Sequence, residues 1–266
     1  MKKIKVVVSQ SGVTAGQLQD LFRMIGDGTV DGENLGGFLE SPRKFRKSSE
    51  SASVVRAIKI LGERRVFTPE RVAEVFNPLR KRTGLQPLVP PQGMSIPYSE
   101  EAVRKHADGR WLLVWSYGLS LREQRQMVGT DTNQQPCFYK EWDWFLKSAE
   151  DGWAGKGMNP GWYLVSLEGR FGNQTWQQQE ESIQKEFGQD YERADEHLMG
   201  EACLSAYLIN NGERPLKNFY HWGKSLGSHG DRVCVSRFDP GGRGVDGYPP
   251  AWGSSVLQVC LLRKFQ

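Results

Sequence analysis

Four histidines, His106, His197, His221 and His229, and four cysteines, Cys137, Cys203, Cys234 and Cys260, are the side chains of this 266-residue chain best suited to proton transfer, nucleophilic attack or metal ligation. His221 and His229 stand eight apart in HWGKSLGSH, a reach that suits a metal pair or a proton shuttle. No carboxylate or thiol sits beside them at ligand spacing, so a hydrogen-bonded structural histidine is the plainer reading. Cys137 in QPCFY could attack with a distant histidine as base, but its Pro, Phe and Tyr neighbours suit a packed thiol better. With no C-x-x-C and no paired histidine spacing, the cysteines read as reduced thiols. In EFGQDYERADEHLMGE, Glu192, Asp195 and Glu196 could form an acid–base pair, yet they equally suit the first turn of the helix they begin. GGRG has no helix behind it and reads as a turn rather than a phosphate loop. The residues therefore assign no catalytic group, no metal and no cofactor, which points toward binding rather than turnover.

The elements that must position these side chains show in the apolar pattern. Thr14 caps a helix carrying Leu18, Leu21, Phe22 and Ile25 that stops at Gly26, and Leu35, Phe38 and Leu39 suggest a second. Thr68, Pro69 and Glu70 open another, with Val72, Val75, Phe76 and Leu79 on one side. GLQPLVPPQGMSIPYS, residues 84–99, carries four prolines and cannot sustain a helix. Beyond it, WLLVWSYGLS and WYLVSL read as strands, Ser120 with Glu123 as a capping box, and TWQQQEESIQKEF and residues 194–209 as two amphipathic helices. After Asn211 come short strands separated by Gly, Pro, Asp and Ser, ending in VLQVCLL.

The organisation is α+β: a helical N-terminal unit over residues 1–84, a linker over 85–99 and a mixed domain over 100–266 that holds all nine tryptophans. The formal charge of +4 conceals a segment, 42–84, with 12 Lys and Arg from Arg43 to Arg82 against four Glu. Such a segment could meet phosphate, which makes a nucleic-acid-associated protein one alternative, although a solvated face is the simpler expectation. Near the basic N-terminus only Val6–Val8 is continuously apolar, too short for a signal-peptide core, and no run spans a bilayer. A soluble, cytoplasmic protein without membrane insertion is expected.

The run NNGERPLKNFYHWGKSLGSHGDRVCVSRFDPGGRGVDGYPP, followed by VLQVCLLRKF, resembles the C-terminal part of a widespread group of proteins from uncultured small-genome bacteria. In that group G-E-R, then G-x-R-V-x-V-x-x-F-D-x-x-G-x-x-V, then R-K-F recur around changeable residues. The group looks like the variable proteins of diversity-generating retroelements, and LQDLFRMIGDGTVDGENLGGFLESP is similar to its helical leader. The resemblance implies a C-type-lectin-like fold, related to the formylglycine-generating enzymes, with a variable region over about 230–265. It also implies that reverse transcription misreading template adenines rewrites chosen codons while a fixed scaffold persists. Matched to this chain, the frame is Asp231 or its neighbour Arg232, with Val233, Val235, Phe238, Asp239, Gly242, Val245, Val259, Arg263, Lys264 and Phe265. The changeable, ligand-binding set is Arg232, Cys234, Arg237, Gly244, Asp246, Gly247, Tyr248, Trp252, Ser254, Ser255 and Val256. Arg243, where the group tends to be aliphatic, and Gln258, where it tends to have glycine, depart from the pattern. The implied function is non-enzymatic display of a diversified recognition surface toward a protein or other macromolecule. The enzymatic alternative on the formylglycine-generating scaffold needs a reactive cysteine pair, for which Cys234 and Cys260 would have to meet.

Strand physics gives the pattern its own reason. Successive side chains face opposite ways, so Val233 and Val235 pack inward while Arg232, Cys234 and Ser236 point out. Arg237 before Phe238 breaks the alternation and predicts a bulge near Ser236. Residues 241–255, with five glycines, two prolines, Tyr248 and Trp252, have the composition of a binding loop.

Overall fold

The computed structural model describes residues 51–147, 152–227 and 229–265. The expected helices at 14–26 and 35–39 and the basic residues at 43–47 lie outside the described residues. Residues 51–266 form one compact unit.

Local signals explain where most elements begin. After α1 (Ala52–Leu61) and the short strand β1 (Val66–Phe67), α2 (Pro69–Arg82) starts where the Thr68 hydroxyl accepts from the Arg71 amide, with Pro69 in the first turn. α3 (Glu100–Arg104) leads to β2 (Trp111–Ser116), and α4 (Leu121–Val128) opens on the expected Ser120–Glu123 capping box. A distorted 3-10 segment, Lys140–Lys147, precedes β3 (Gly161–Ser166). Thr175 and Gln178 form a second capping box at α5 (Trp176–Phe187), and β4 (Tyr191–Arg193) then runs to α6 (Glu196–Ile209). Five strands follow: β5 (Tyr220–Leu226), β6 (Arg232–Asp239), β7 (Gly242–Tyr248), β8 (Leu257–Gln258) and β9 (Leu261–Arg263). The architecture is mixed α and β, compatible with the α+β expectation.

The strands make two sheets, ordered β1-β2-β3-β9-β4 and β7-β6-β5-β8. β9 lies antiparallel to both β3 and β4, so the whole second sheet is an excursion that leaves the first sheet after β4 and returns to it at β9. Both faces of the first sheet are covered. Leu112 and Val114 enter one core with α2 and α6, while Trp111, Leu113 and Trp115 enter another with α1 and α3. Two-sided burial accounts for the unbroken apolar run WLLVWS.

Two expectations change. The proline-rich stretch at 84–99 does not run free between two bodies: Leu85 and Leu88 pack on the first core, and Ile96 and Tyr98 are buried in the second. The α6 helix is not amphipathic, because it is buried around its circumference from Glu196 to Ala206, packed against β2, β5 and β6. The predicted irregularity near Ser236 is present as a register shift of β6 against β7 between Val235 and Phe238.

Candidate recognition surface

Val233, Val235, Phe238 and Val245 point from the second sheet into the core around α6. The opposite face of that sheet carries a separate cluster, Trp222, Cys234 and Leu257, covered by Trp176, Tyr220 and Tyr248. Alternation along β6 is therefore as expected, but the burial of Cys234 is not: its thiol is fully enclosed and burial pushes its pKa well up. Cys234 is packed as a core residue, because the aromatic layer of Trp176, Tyr220 and Tyr248 closes the space above it. Gly244 and Arg243 are buried as well.

Above this cluster the rings form a continuous ladder. Tyr139 meets Trp142 at 5.1 Å between centroids, Trp142 stacks on Tyr220 at 6.4 Å and 14°, Tyr220 meets Tyr248 at 5.4 Å, and Tyr248 meets Trp252 at 4.9 Å. Trp252, at its end, is 48% exposed. Two guanidiniums lie on the same layer: exposed Arg237 sits 5.3 Å from the Tyr220 ring centre, and Arg232 sits 3.9 Å from that of Trp176 while donating to the Lys224 carbonyl. Trp176 is also covered by buried Arg193, whose Nε donates to Glu180 at 2.7 Å and whose pKa burial lowers to about 10. Tyr248 is held strongly toward its neutral phenol by burial and then by Asp246.

Of the residues matched as changeable, Arg232, Arg237, Asp246, Tyr248 and Trp252 gather on this face or its rim. Ser254, Ser255 and Val256 lie in the following loop, which is pinned to the chain before α5: the Asn173 amide donates to the Ser254 carbonyl, and the Trp176 amide to that of Pro250. Gly247 faces the side of Trp144. Tyr139, Trp142, Trp144, Trp176 and Tyr220 were not anticipated, although EWDWF carries the aromatic density that marks such a surface.

No protein-family model, curated protein or solved structure matches the chain.

The charged groups at the start of α6 are held by hydrogen bonds across the fold. Asp195 caps α6 by accepting from the His197 amide at 2.8 Å. Burial, then the neighbouring Glu196, raises its carboxyl pKa. Glu196 Oε2 accepts from the Lys224 and Ser225 amides at 2.9 and 3.3 Å, closing the irregularity in β5. Asp195, Glu196 and His197 bring ligand-type atoms within 4.8 Å of one another. His197 Nδ1 nevertheless accepts from the Leu121 amide at 3.1 Å, which places the ring proton on Nε2, the atom 3.7 Å from Glu196 Oε1. A metal needs the lone pair of that nitrogen, so the ring as held is a brace and not a ligand.

His221 is fully buried with its pKa pushed down to about 3, whereas His229 is exposed in the turn after β5, so the two occupy opposite environments. Burial pushes the Cys137 thiol up, the opposite of what a nucleophile needs. Cys260 lies in the core with Cys203, apart from the cluster that holds Cys234, and burial raises all three thiols. Much of the basic segment is spent internally: Arg64 and Arg65 pair with Glu213, Arg71 donates to the carbonyls of Glu63 and Val66, and buried Arg80 pairs with Glu123. Lys59, Lys81 and Arg82 remain exposed. Among the described residues no helix is long and apolar enough to cross a membrane.

Proposed function

We propose that the chain is a non-enzymatic ligand-binding protein that presents a recognition surface on the outward face of its second sheet, of the kind rewritten by a diversity-generating retroelement on a C-type-lectin-like domain. The observation that carries this reading is the ladder Tyr139–Trp142–Tyr220–Tyr248–Trp252 with Arg237 upon it. Rigid rings that bury much area at little entropic cost, with a guanidinium among them, are the residues that dominate binding interfaces. They stand on a face whose opposite side is the fixed core of Val233, Val235 and Phe238, so recognition and folding fall on different sides of one strand. The partner is a protein or other macromolecule, because the ladder is an extended surface and not an enclosed cavity.

The test is the DNA beside the gene. A reverse transcriptase and a near-copy of the segment encoding about 230–265, differing from it only where the copy carries adenine, are expected. A locus with neither removes diversification from the proposal.

A further inference from the structure

At the rim of this surface, where the turn after β5 meets β7, a cavity of about 190 Å³ is lined by Trp144, Gly227, His229, Asp231, Asp246 and Gly247. Its back wall is fixed: Trp144 Nε1 donates to the Val245 carbonyl at 2.6 Å, and the indole leans on Trp153 at 5.5 Å. Its room comes from two glycines, since a Cβ on Gly247 would lie 3.3 Å from Asp231 Cβ and 3.7 Å from Trp144 Cη2, and one on Gly227 3.8 Å from the same indole edge. The turn is held by backbone bonds, Gly227 N to Asp231 O at 2.7 Å and Gly230 N to Gly227 O at 3.1 Å. Among the described residues neither Asp231 nor Asp246 enters an ion pair, although the chain carries net positive charge.

We propose that this cavity receives the guanidinium of an arginine on the surface of the protein partner. An aromatic wall beside two carboxylates that enter no ion pair, one of them (Asp246 Oδ1) accepting from the Gly247 amide at 2.8 Å, is complementary to a planar cation that stacks on a ring and donates several hydrogen bonds in its own plane. An ammonium is hydrated more strongly and fits a flat wall less well. The proposal rests on the recognition-surface reading only for the ligand being a protein; the cavity itself is tested alone.

The experiment titrates the full chain, labelled with 15N at tryptophan, with N-acetyl-arginine amide and with its uncharged isostere N-acetyl-citrulline amide. The Trp144 indole N–H resonance, assigned through Trp144→Phe, is expected to shift with the arginine compound. The citrulline compound should bind at least about tenfold more weakly, the ratio one charge-assisted hydrogen bond supplies. The pair Asp231→Asn and Asp246→Asn should abolish the difference while leaving the other indole resonances in place. Equal response to both compounds, or none from Trp144 at tens of millimolar, overturns the proposal. The aromatic surface is judged separately, by partner binding of Tyr248→Ala and Trp252→Ala, so either reading can fail without the other.

Discussion

Replacing Cys234 by Asn discriminates between a strand whose outward residues are all free to vary and one that is closed on both sides. The larger amide must enter a space bounded by Trp222 and Leu257 under Tyr220, Tyr248 and Trp176. Overpacking of this kind costs about 1–3 kcal/mol, and an amide left without partners a further 1–3 kcal/mol. The expected loss is therefore roughly 2–6 kcal/mol from a total on the order of 5–15. The contrast is the double substitution Arg237→Ser with Trp252→Ser. Arg237 is exposed and gives up one cation–π contact, and half-exposed Trp252 gives up one ring pair. Each contact is worth about 1 kcal/mol, so the pair should lose roughly 2 kcal/mol. Urea unfolding followed by far-ultraviolet circular dichroism reads both, since removing Trp252 disturbs fluorescence. If Cys234→Asn stays within about 0.5 kcal/mol of the parent, or the surface pair is the more damaging, the division between frame and recognition residues drawn here is wrong.

Gly200→Ala should destabilise the fold despite Ala being the better helix former by about 1 kcal/mol, because its Cβ would lie 2.3 Å from Gln124 Oε1 and 2.4 Å from Arg243 Nη1; a raised urea midpoint would refute the fixed placement of that guanidinium. Glu201, which accepts from Ser116 Oγ and the Tyr117 and Leu119 amides, has its carboxyl pKa raised by burial from 4.5 to about 7. Its folded pKa exceeds its unfolded one, so the stability it contributes is full below pH 4.5 and is lost as pH rises through about 7. Urea midpoints should fall over that window, and Glu201→Gln should flatten the slope. All four cysteines are buried, so a thiol-reactive dye should label none until denaturant is added, and rapid labelling of the native chain would contradict their packing.

What the sequence disclosed were features written within a few residues of one another. Ser120 with Glu123, Thr68 with Pro69, and the alternation of Val233 with Val235 each carry their cause locally, and each element stands where its signal lies. The all-round burial of α6 was illegible because Glu196, His197, Glu201 and Ser205 read as a polar stripe. Their partners, among them Ser116, Leu121 and Lys224, come from distant strands and from the start of α4. Arg243 shows the same limit: nothing beside it in the chain announces that its guanidinium lies over Phe138 and donates to Gln124 at 2.9 Å. The proposed recognition surface was half legible. Tyr248 and Trp252 lie in the segment whose composition pointed to binding, but Arg237 lies before it, and Tyr139 and Trp142 are supplied by a 3-10 segment and the residue preceding it, about a hundred residues earlier.

The return of β9 to an inner position of the first sheet, between β3 and β4, makes folding a check on the reading frame. A chain terminated or shifted out of frame anywhere between Arg232 and Val259 loses Leu261 and Leu262, which sit between β3 and β4 at the centre of both cores. Such a product keeps its first sheet open and its cores exposed, a substrate for proteolysis instead of a folded protein. Under the proposed diversification, codon substitutions on the outward face would pass this sieve, whereas frameshifts and stops would not, because only the latter remove the last strand.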